Sequence, residues 1–410
     1  MSEMLKLPLP ASDDPDSITV ALASIRKHLG MPVAYVSEFV DGRAVFRVVD
    51  APGLEAMIKV GDSQSLDDVY CRHILEGRLP ELMANTADHP MAMALPMTAA
   101  APIGSHMSVP IRMPDGDVYG MFCCLSPDPD ASLNARDLAV MHVFADMAAA
   151  QMAHRRGAER GLMAARSRVQ AVIDTSDFRI VLQPIWQFGQ DRPSGFEALT
   201  RFSSLPQRTP DLWFNEAASI GLGEDLELAA VASALESLAS LPDDVYLSVN
   251  LAPPTLVGER LAGMLSAYPM HRIVLELTEH RVVDDYPAVA AALAPLRKAG
   301  ARLAVDDAGA GYANFQHILR LEPDIIKLDM ALTRHVDTDL SRRALTSAMV
   351  RFAADTRSIV IAEGVETEGE RLALQALGVG YGQGFLLGKP DGLAAALRLA
   401  PAGDSPAADY

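Results

Sequence analysis

The chain has 410 residues, half of them apolar and about a fifth charged, with a formal net charge of −18. That length calls for more than one domain, and the composition is that of an ordinary soluble globular protein. An acidic surface argues against DNA or RNA as partner, and three cysteines without a C-x-x-C pair fit a reducing cytoplasm.

The opening MSEMLKLPLPASDDPDS has no apolar core of a signal peptide, and residues 1–15 are expected to be a flexible N-terminus. No segment nears the roughly 18 uninterrupted apolar residues of a membrane span, so no membrane partner is expected. Ser17 to Leu29 has a helical pattern with Gly30 as its stop. Two strand patterns follow, VAYVSEFV and RAVFRVVD, joined by Asp41-Gly42, a strong hairpin signal. Ser65-x-x-Asp68 reads as a capping box opening a helix to Gly77. The methionines of Met91-Ala-Met-Ala-Leu-Pro-Met97 read as gap-filling core. His106–Met113 and Val118–Leu125 form a second hairpin around Asp115-Gly116, and a helix starts near Asn134. That helix has three-four apolar spacing over about two heptads, is interrupted at Arg155, Arg156 and Gly157, and resumes at Leu162.

Helix, hairpin, helix, loop, hairpin and long helix describe an α/β sandwich with an antiparallel sheet. The order, with the VPIRMPDGDVYGMFCCLSPDP hairpin, resembles a GAF domain over residues 16–153. The resemblance implies a sensory domain with an unknown small ligand or none. Cys71 falls on a helix, while Cys123 and Cys124 face opposite sides of a strand, so no spaced motif supports haem or bilin attachment. The helix from Asn134 reads either as a signalling helix that pairs across a dimer and connects the two domains or as a final helix packed on its own sheet and followed by a solvated linker, with residues 154–175 as the linker helix.

From Phe178 the rhythm changes to short apolar runs alternating with helical segments. Repeated βα units point to a (β/α)8 barrel, in which active sites lie at the C-terminal ends of the strands. The polar residues at those ends are Gln183, Glu197, Arg201, Asn250, Glu276, Glu279, Asp306, Asp307, Lys327, Glu363, Glu366 and Gln383. Any one carboxylate there is more often a helix cap or surface group, and Lys327 alone would read as a barrel salt bridge. Recurrence over consecutive units favours a metal site, with hard oxygen donors suited to Mg2+ or Mn2+. Two such ions sharing an Asp serve in-line phosphoester hydrolysis.

LQPI, E-A-L-x-R, S-V-N, E-L-T-E, V-D-D-x-G-x-G-Y, I-K-L-D, A-E-G-V-E-T and Q-G-F-L-L-G-K-P occur in that order. Together they resemble the EAL domain of cyclic di-GMP phosphodiesterases, with domain bounds read as 176–400 and a flexible tail at 401–410. The resemblance implies a modified TIM barrel with one antiparallel strand, two Mg2+ or Mn2+ ions, and hydrolysis of cyclic di-GMP to linear pGpG. It assigns Glu197, Asn250, Glu276 and Asp306 to the first metal, with Asp306 bridging to a second beside Asp307 and Glu363. Glu363 becomes the general base toward the attacking water, which Lys327 helps to orient. Gln183 and Arg201 contact the dinucleotide, Glu366 and Gln383 lie near the second metal and substrate, and Glu279 anchors the loop after Asp307. That loop links metal binding to a homodimer in the family, and its usual Phe is Ala308 here. Ala218 likewise replaces a usual Glu that is not a metal ligand. The alternatives are a catalytically inactive cyclic di-GMP receptor and a protein-interaction module.

Overall fold

The computed structural model describes residues 17–190, 192–277, 283, 285–308 and 318–400. Both expected flexible ends, Glu279 and the glycines after Ala308 lie outside the described residues. The chain divides into two compact units, residues 1–161 and 162–410.

In the first unit, helix α1 (Ser17–His28) precedes β1 (Val33–Val40) and β2 (Arg43–Asp50). Short elements β3 (Ser63–Ser65), α2 (Tyr70–Leu75), β4 (Leu82–Met83), α3 (Pro90–Ala94) and α4 (Pro96–Ala100) lead to β5 (Ser105–Arg112) and β6 (Val118–Ser126). The strands pair antiparallel in the order β3-β2-β1-β6-β5-β4. Both hairpin turns stand where read, because Asp41, Gly42 and Gly116 take the positive φ that the turns require. Side chains alternate along each strand. Ala34, Val36, Met107, Val109, Phe122 and Cys124 therefore pack with α1 on one face, and Val33, Tyr35, Met121 and Cys123 pack with α2 on the other.

Three expectations are corrected here. Ser65 opens no helix: it pairs with Arg43 at the edge of the sheet, and α2 begins at Tyr70 behind Val69, which supplies no side-chain cap. Sheet pairing overrides a capping pattern that offers only local hydrogen bonds. Met91 and Met93 are exposed, so of the three methionines read as core only Met97 packs against it. The break at Arg155–Gly157 is absent, since α5 runs unbroken over Ala135–Thr175. One interior glycine costs a helix only about 1 kcal/mol. The N-terminal part of α5 buries Met141, Ala145 and Ala148 within the first unit, and its C-terminal part buries Val169 and Val172 against Trp213 of the second.

The second unit is a closed barrel of eight strands: β7 (Phe178–Gln187), β8 (Pro193–Phe202), β9 (Tyr246–Leu251), β10 (Ile273–Leu277), β11 (Arg302–Ala308), β12 (Ile325–Leu328), β13 (Ile359–Ala362) and β14 (Tyr381–Gly382). Strand β7 runs antiparallel to both its neighbours, β8 and β14, and every other pairing is parallel. Helices α6 (Pro210–Ser219) and α7 (Gly223–Glu236) follow β8. The barrel interior is filled by Ile185, Tyr246, Val274, Ala304, Ile325 and Ile361, so the polar chemistry is confined to its mouth.

Candidate active site

Parallel registration brings the polar strand ends level. Glu276 is the Cα partner of Asn250, Glu197 that of Ser248 and of Gln183, and Glu363 and Gln383 directly follow β13 and β14. At the centre is Lys327 on β12, only 1% exposed. Its ammonium lies 2.7 Å from Glu363 Oε1 and 3.2 Å from both Asp306 Oδ1 and Glu197 Oε2, and it also donates to Glu276. Burial pulls the Lys327 ammonium down, but Asp306, Glu197, Glu276 and Glu363 outweigh it and hold it well above its ordinary value.

Adjacent strand residues normally face opposite sides of a sheet, so Asp306 and Asp307 should diverge. They do not. The register of β11 against β12 shifts between Val305 and Ala308, and Asp307 takes φ +54°, a left-handed conformation costly for a residue with a side chain. The result places carboxylate oxygens of Asp306, Asp307 and Glu363 within 4.8 Å of one another. Strain of this kind concentrates at functional sites.

Four carboxylates thus surround one ammonium, and Asp307 adds a fifth beside Asp306 and Glu363. Burial first, and then the neighbouring carboxylates, push Glu276 and Glu363 well above the usual carboxylate range despite Lys327. In Glu276 the Glu197 charge is the largest of those neighbours, whereas in Glu363 it is Asp306. A divalent cation fits this surplus of negative charge. The donors are hard oxygens, as Mg2+ and Mn2+ require. Gln383 adds a buried Oε1 with no hydrogen-bond partner, while its Nε2 donates to Glu197 Oε2 at 2.7 Å and Gln183 Oε1 at 3.1 Å.

Asn250 Nδ2 donates to Glu197 Oε1 at 2.9 Å, fixing those two side chains together. Burial lowers the Arg201 guanidinium from its ordinary value, and the charge of Glu197 opposes that shift. With Asn250, Glu227, Ile180, Phe214 and Val249 this arginine lines a cavity of about 240 Å³. Glu366 is not brought to Lys327; it pairs with Arg334, and its side chain is 38% exposed. Ala308, at the position of the missing Phe, is fully buried.

Three supporting residues escaped the sequence reading. Ser248 Oγ donates to Glu276 Oε2 at 2.7 Å, and the S-V-N motif carried that signal. Glu227, a buried acid in an apolar helical run, accepts from Ala252 N at 3.0 Å and steadies the chain after Asn250. Glu370, in a capping box with Thr367, accepts from the backbone N–H groups of His335, Glu366 and Thr367, and so orders the segment after Glu363.

Comparison with known proteins agrees with this architecture. Residues 166–390 match the EAL domain model, and residues 16–152 match the GAF domain model. The chain is 30% identical over 235 residues to the probable cyclic di-GMP phosphodiesterase PdeA of Escherichia coli (strain K12), covering 55% of this chain and 32% of PdeA. It is 30% identical over 241 residues to the probable cyclic di-GMP phosphodiesterase PdeB of the same organism, covering 56% of this chain and 46% of PdeB. The chain therefore spans between about a third and a half of the length of these curated relatives. Among solved structures, the EAL enzyme Bd1971 in its cAMP- and cyclic-di-GMP-bound form shares the fold, with a TM-score of 0.56 over 90% of this chain and 93% of that one, at 17% identity. With its model matched over more than half the sequence and its barrel carrying one antiparallel strand, this chain belongs to the EAL-domain family.

Proposed function

We propose that the barrel hydrolyses cyclic di-GMP to linear pGpG with the help of two divalent cations, Mg2+ or Mn2+. The observation that carries the reading is the ring of Glu197, Glu276, Asp306 and Glu363 around a buried Lys327, with Asp307 beside Asp306 and Glu363. Glu197, Asn250, Glu276 and Asp306 would hold one ion, and Asp306, Asp307 and Glu363 the other. Such ions would supply polarisation of the phosphate and a water made nucleophilic at neutral pH.

The chain's own residues do the rest. Glu363 takes the proton from the attacking water, and Lys327, 2.7 Å from it, orients that water and favours the ionised carboxylate. The new P–O bond forms as the ester bond to the 3′ oxygen breaks, leaving a 5′-phosphate and a 3′-hydroxyl. Gln183 and Arg201 bind the dinucleotide, with Arg201 reaching it from the cavity beside Asn250. Gln383 holds Gln183 and Glu197 in register, and Glu366 borders the substrate through its pairing with Arg334.

We assign the chain to the cytoplasm, with the GAF domain regulating the barrel of a homodimer in which Glu279 anchors the loop after Asp307. No described helix is long and apolar enough to cross a membrane. The test is conversion of cyclic di-GMP by the purified chain with either ion. Tight binding without cleavage would replace the enzyme by a receptor.

A further inference from the structure

Helix α6, which follows β8, is gripped by the C-terminal part of α5 through one carboxylate. Glu216 on α6 accepts two hydrogen bonds from Arg168 on α5, at 2.6 Å to Oε1 and 3.2 Å to Oε2, and a third from Arg208. Arg166 of α5 donates to the Ile220 carbonyl at 3.4 Å, just past the end of α6. Beneath these polar contacts Val169 and Val172 bury against Trp213 and Ala217 of α6.

From Glu216 the contacts lead on to Arg201. The Arg208 guanidinium lies over the Trp213 ring, 4.0 Å from its centroid. Trp213 is fully buried and stacks on Phe202, the residue after Arg201 on β8, with centroids 5.2 Å apart. Phe214 meets the Phe202 ring edge-on at 5.6 Å, and with Pro210 it walls the cavity that Arg201 lines. Arg201 itself donates to the carbonyl of the preceding Thr200 at 2.9 Å, so the setting of its guanidinium depends on those walls.

An exposed ion pair contributes little and fixes no geometry. Two observations set this cluster apart. The Glu216 and Arg208 side chains are only 18% and 17% exposed, so water and salt screen their bond less. Arg208 Nε and Trp213 Nε1 are also buried donors without a hydrogen-bond partner, and each such donor costs on the order of 1–3 kcal/mol. A guanidinium that binds a carboxylate with its edge and covers an indole with its face accepts that cost, and it holds α6 in one orientation.

We infer that Glu216 and Arg168 are positioning residues for the cyclic dinucleotide: through α6 they set the wall of the Arg201 cavity and hence substrate affinity. The inference rests on the function proposed above, in which Arg201 binds the dinucleotide. Glu216 lies outside the carboxylate ring around Lys327, so its loss removes binding shared by substrate and transition state, which raises KM and leaves kcat unchanged. The grip on α6 comes from α5, so a turn of α5 changes substrate affinity rather than catalytic rate.

The test uses the full chain with Mn2+ and the variants Glu216→Gln, Arg168→Gln and both together. Glu216→Gln should raise KM for cyclic di-GMP about tenfold, with kcat and the Mn2+ concentration for half-maximal rate unchanged. Arg168→Gln leaves Glu216 bonded to Arg208, so it keeps the fold if Glu216→Gln does not, and it should raise KM by a smaller factor. The double variant should match Glu216→Gln alone, because both residues act through one link. Calorimetric binding of cyclic di-GMP in EDTA should weaken by the same factors, a readout that needs no turnover. A fall in kcat at unchanged KM, or single effects that multiply in the double variant, would overturn the inference. Wild type that binds the dinucleotide no better than the variants overturns this inference alone. Wild type that neither binds nor cleaves it overturns the proposed function and this inference together.

Discussion

Lys327 Nζ stands 2.7 Å from Glu363 Oε1, and the same ammonium is shared with Glu197, Glu276 and Asp306. Removing it leaves buried carboxylates without their charge partner, a change that costs on the order of 3–5 kcal/mol. Lys327→Ala should therefore unfold at a clearly lower temperature in EDTA. Mn2+ should restore more stability to this variant than it adds to the wild type. Thermal unfolding of both proteins with EDTA and with Mn2+ checks this, and equal shifts would argue against ion binding at the cluster.

Asp307 has φ +54°, where glycine rests without strain. Asp307→Gly removes both the strain and one of the crowded charges. It should gain about 1 kcal/mol in EDTA. It should also lose most of the stabilisation by Mn2+, which for the wild type reaches about 2.7 kcal/mol at a hundredfold excess over Kd. Denaturant titrations with and without the ion measure both effects. Unchanged ion dependence would mean that Asp307 is only a turn residue.

Ser248 holds Glu276 by a 2.7 Å hydrogen bond. Groups that orient a ligand in this way typically cost about 10–100-fold in ion affinity when lost. Ser248→Ala should weaken Mn2+ binding by that range, measured by calorimetry. The far-ultraviolet circular dichroism should remain that of the wild type.

Away from the mouth, Glu216 on α6 accepts from Arg208 and from Arg168, the latter at 2.6 Å. The Arg208 hydrogen bond chiefly, and that of Arg168, bring Glu216 down from 4.5 to about 2 against partial burial. A carboxylate lowered in the folded state contributes stability that is complete above its unfolded value and vanishes as pH falls through the folded one. With discount for solvent screening, Glu216→Gln should cost about 1–2 kcal/mol at neutral pH. That deficit should shrink between about pH 4.5 and about pH 2. Chemical denaturation across this range tests it, and a pH-independent deficit would point to packing.

The barrel and the strand-end carboxylates were legible because each rests on a local pattern, whereas the antiparallel strand was implied only by the resemblance to the EAL domain. An apolar run ending in a polar residue marks a strand end, and the hairpins at Asp41-Gly42 and Asp115-Gly116 need only local turn geometry. What escaped reading depends on distant partners. Ser65 had the pattern of a cap, but its pairing with Arg43 in the sheet is a tertiary choice. Arg155 to Gly157 looked like a break, yet helix on both sides carries the chain through. The bulge that turns Asp307 beside Asp306 belongs to the pairing of β11 with β12.

The measurement closest to the central claim is hydrolysis of cyclic di-GMP by the purified full chain with Mg2+ or Mn2+, wild type beside Lys327→Ala, with products separated by chromatography. The account predicts linear pGpG from the wild type, none in EDTA, and a rate lowered about a hundredfold or more in the variant. Intact cyclic di-GMP after incubation of folded wild type with either ion, or equal rates for the two proteins, would contradict it.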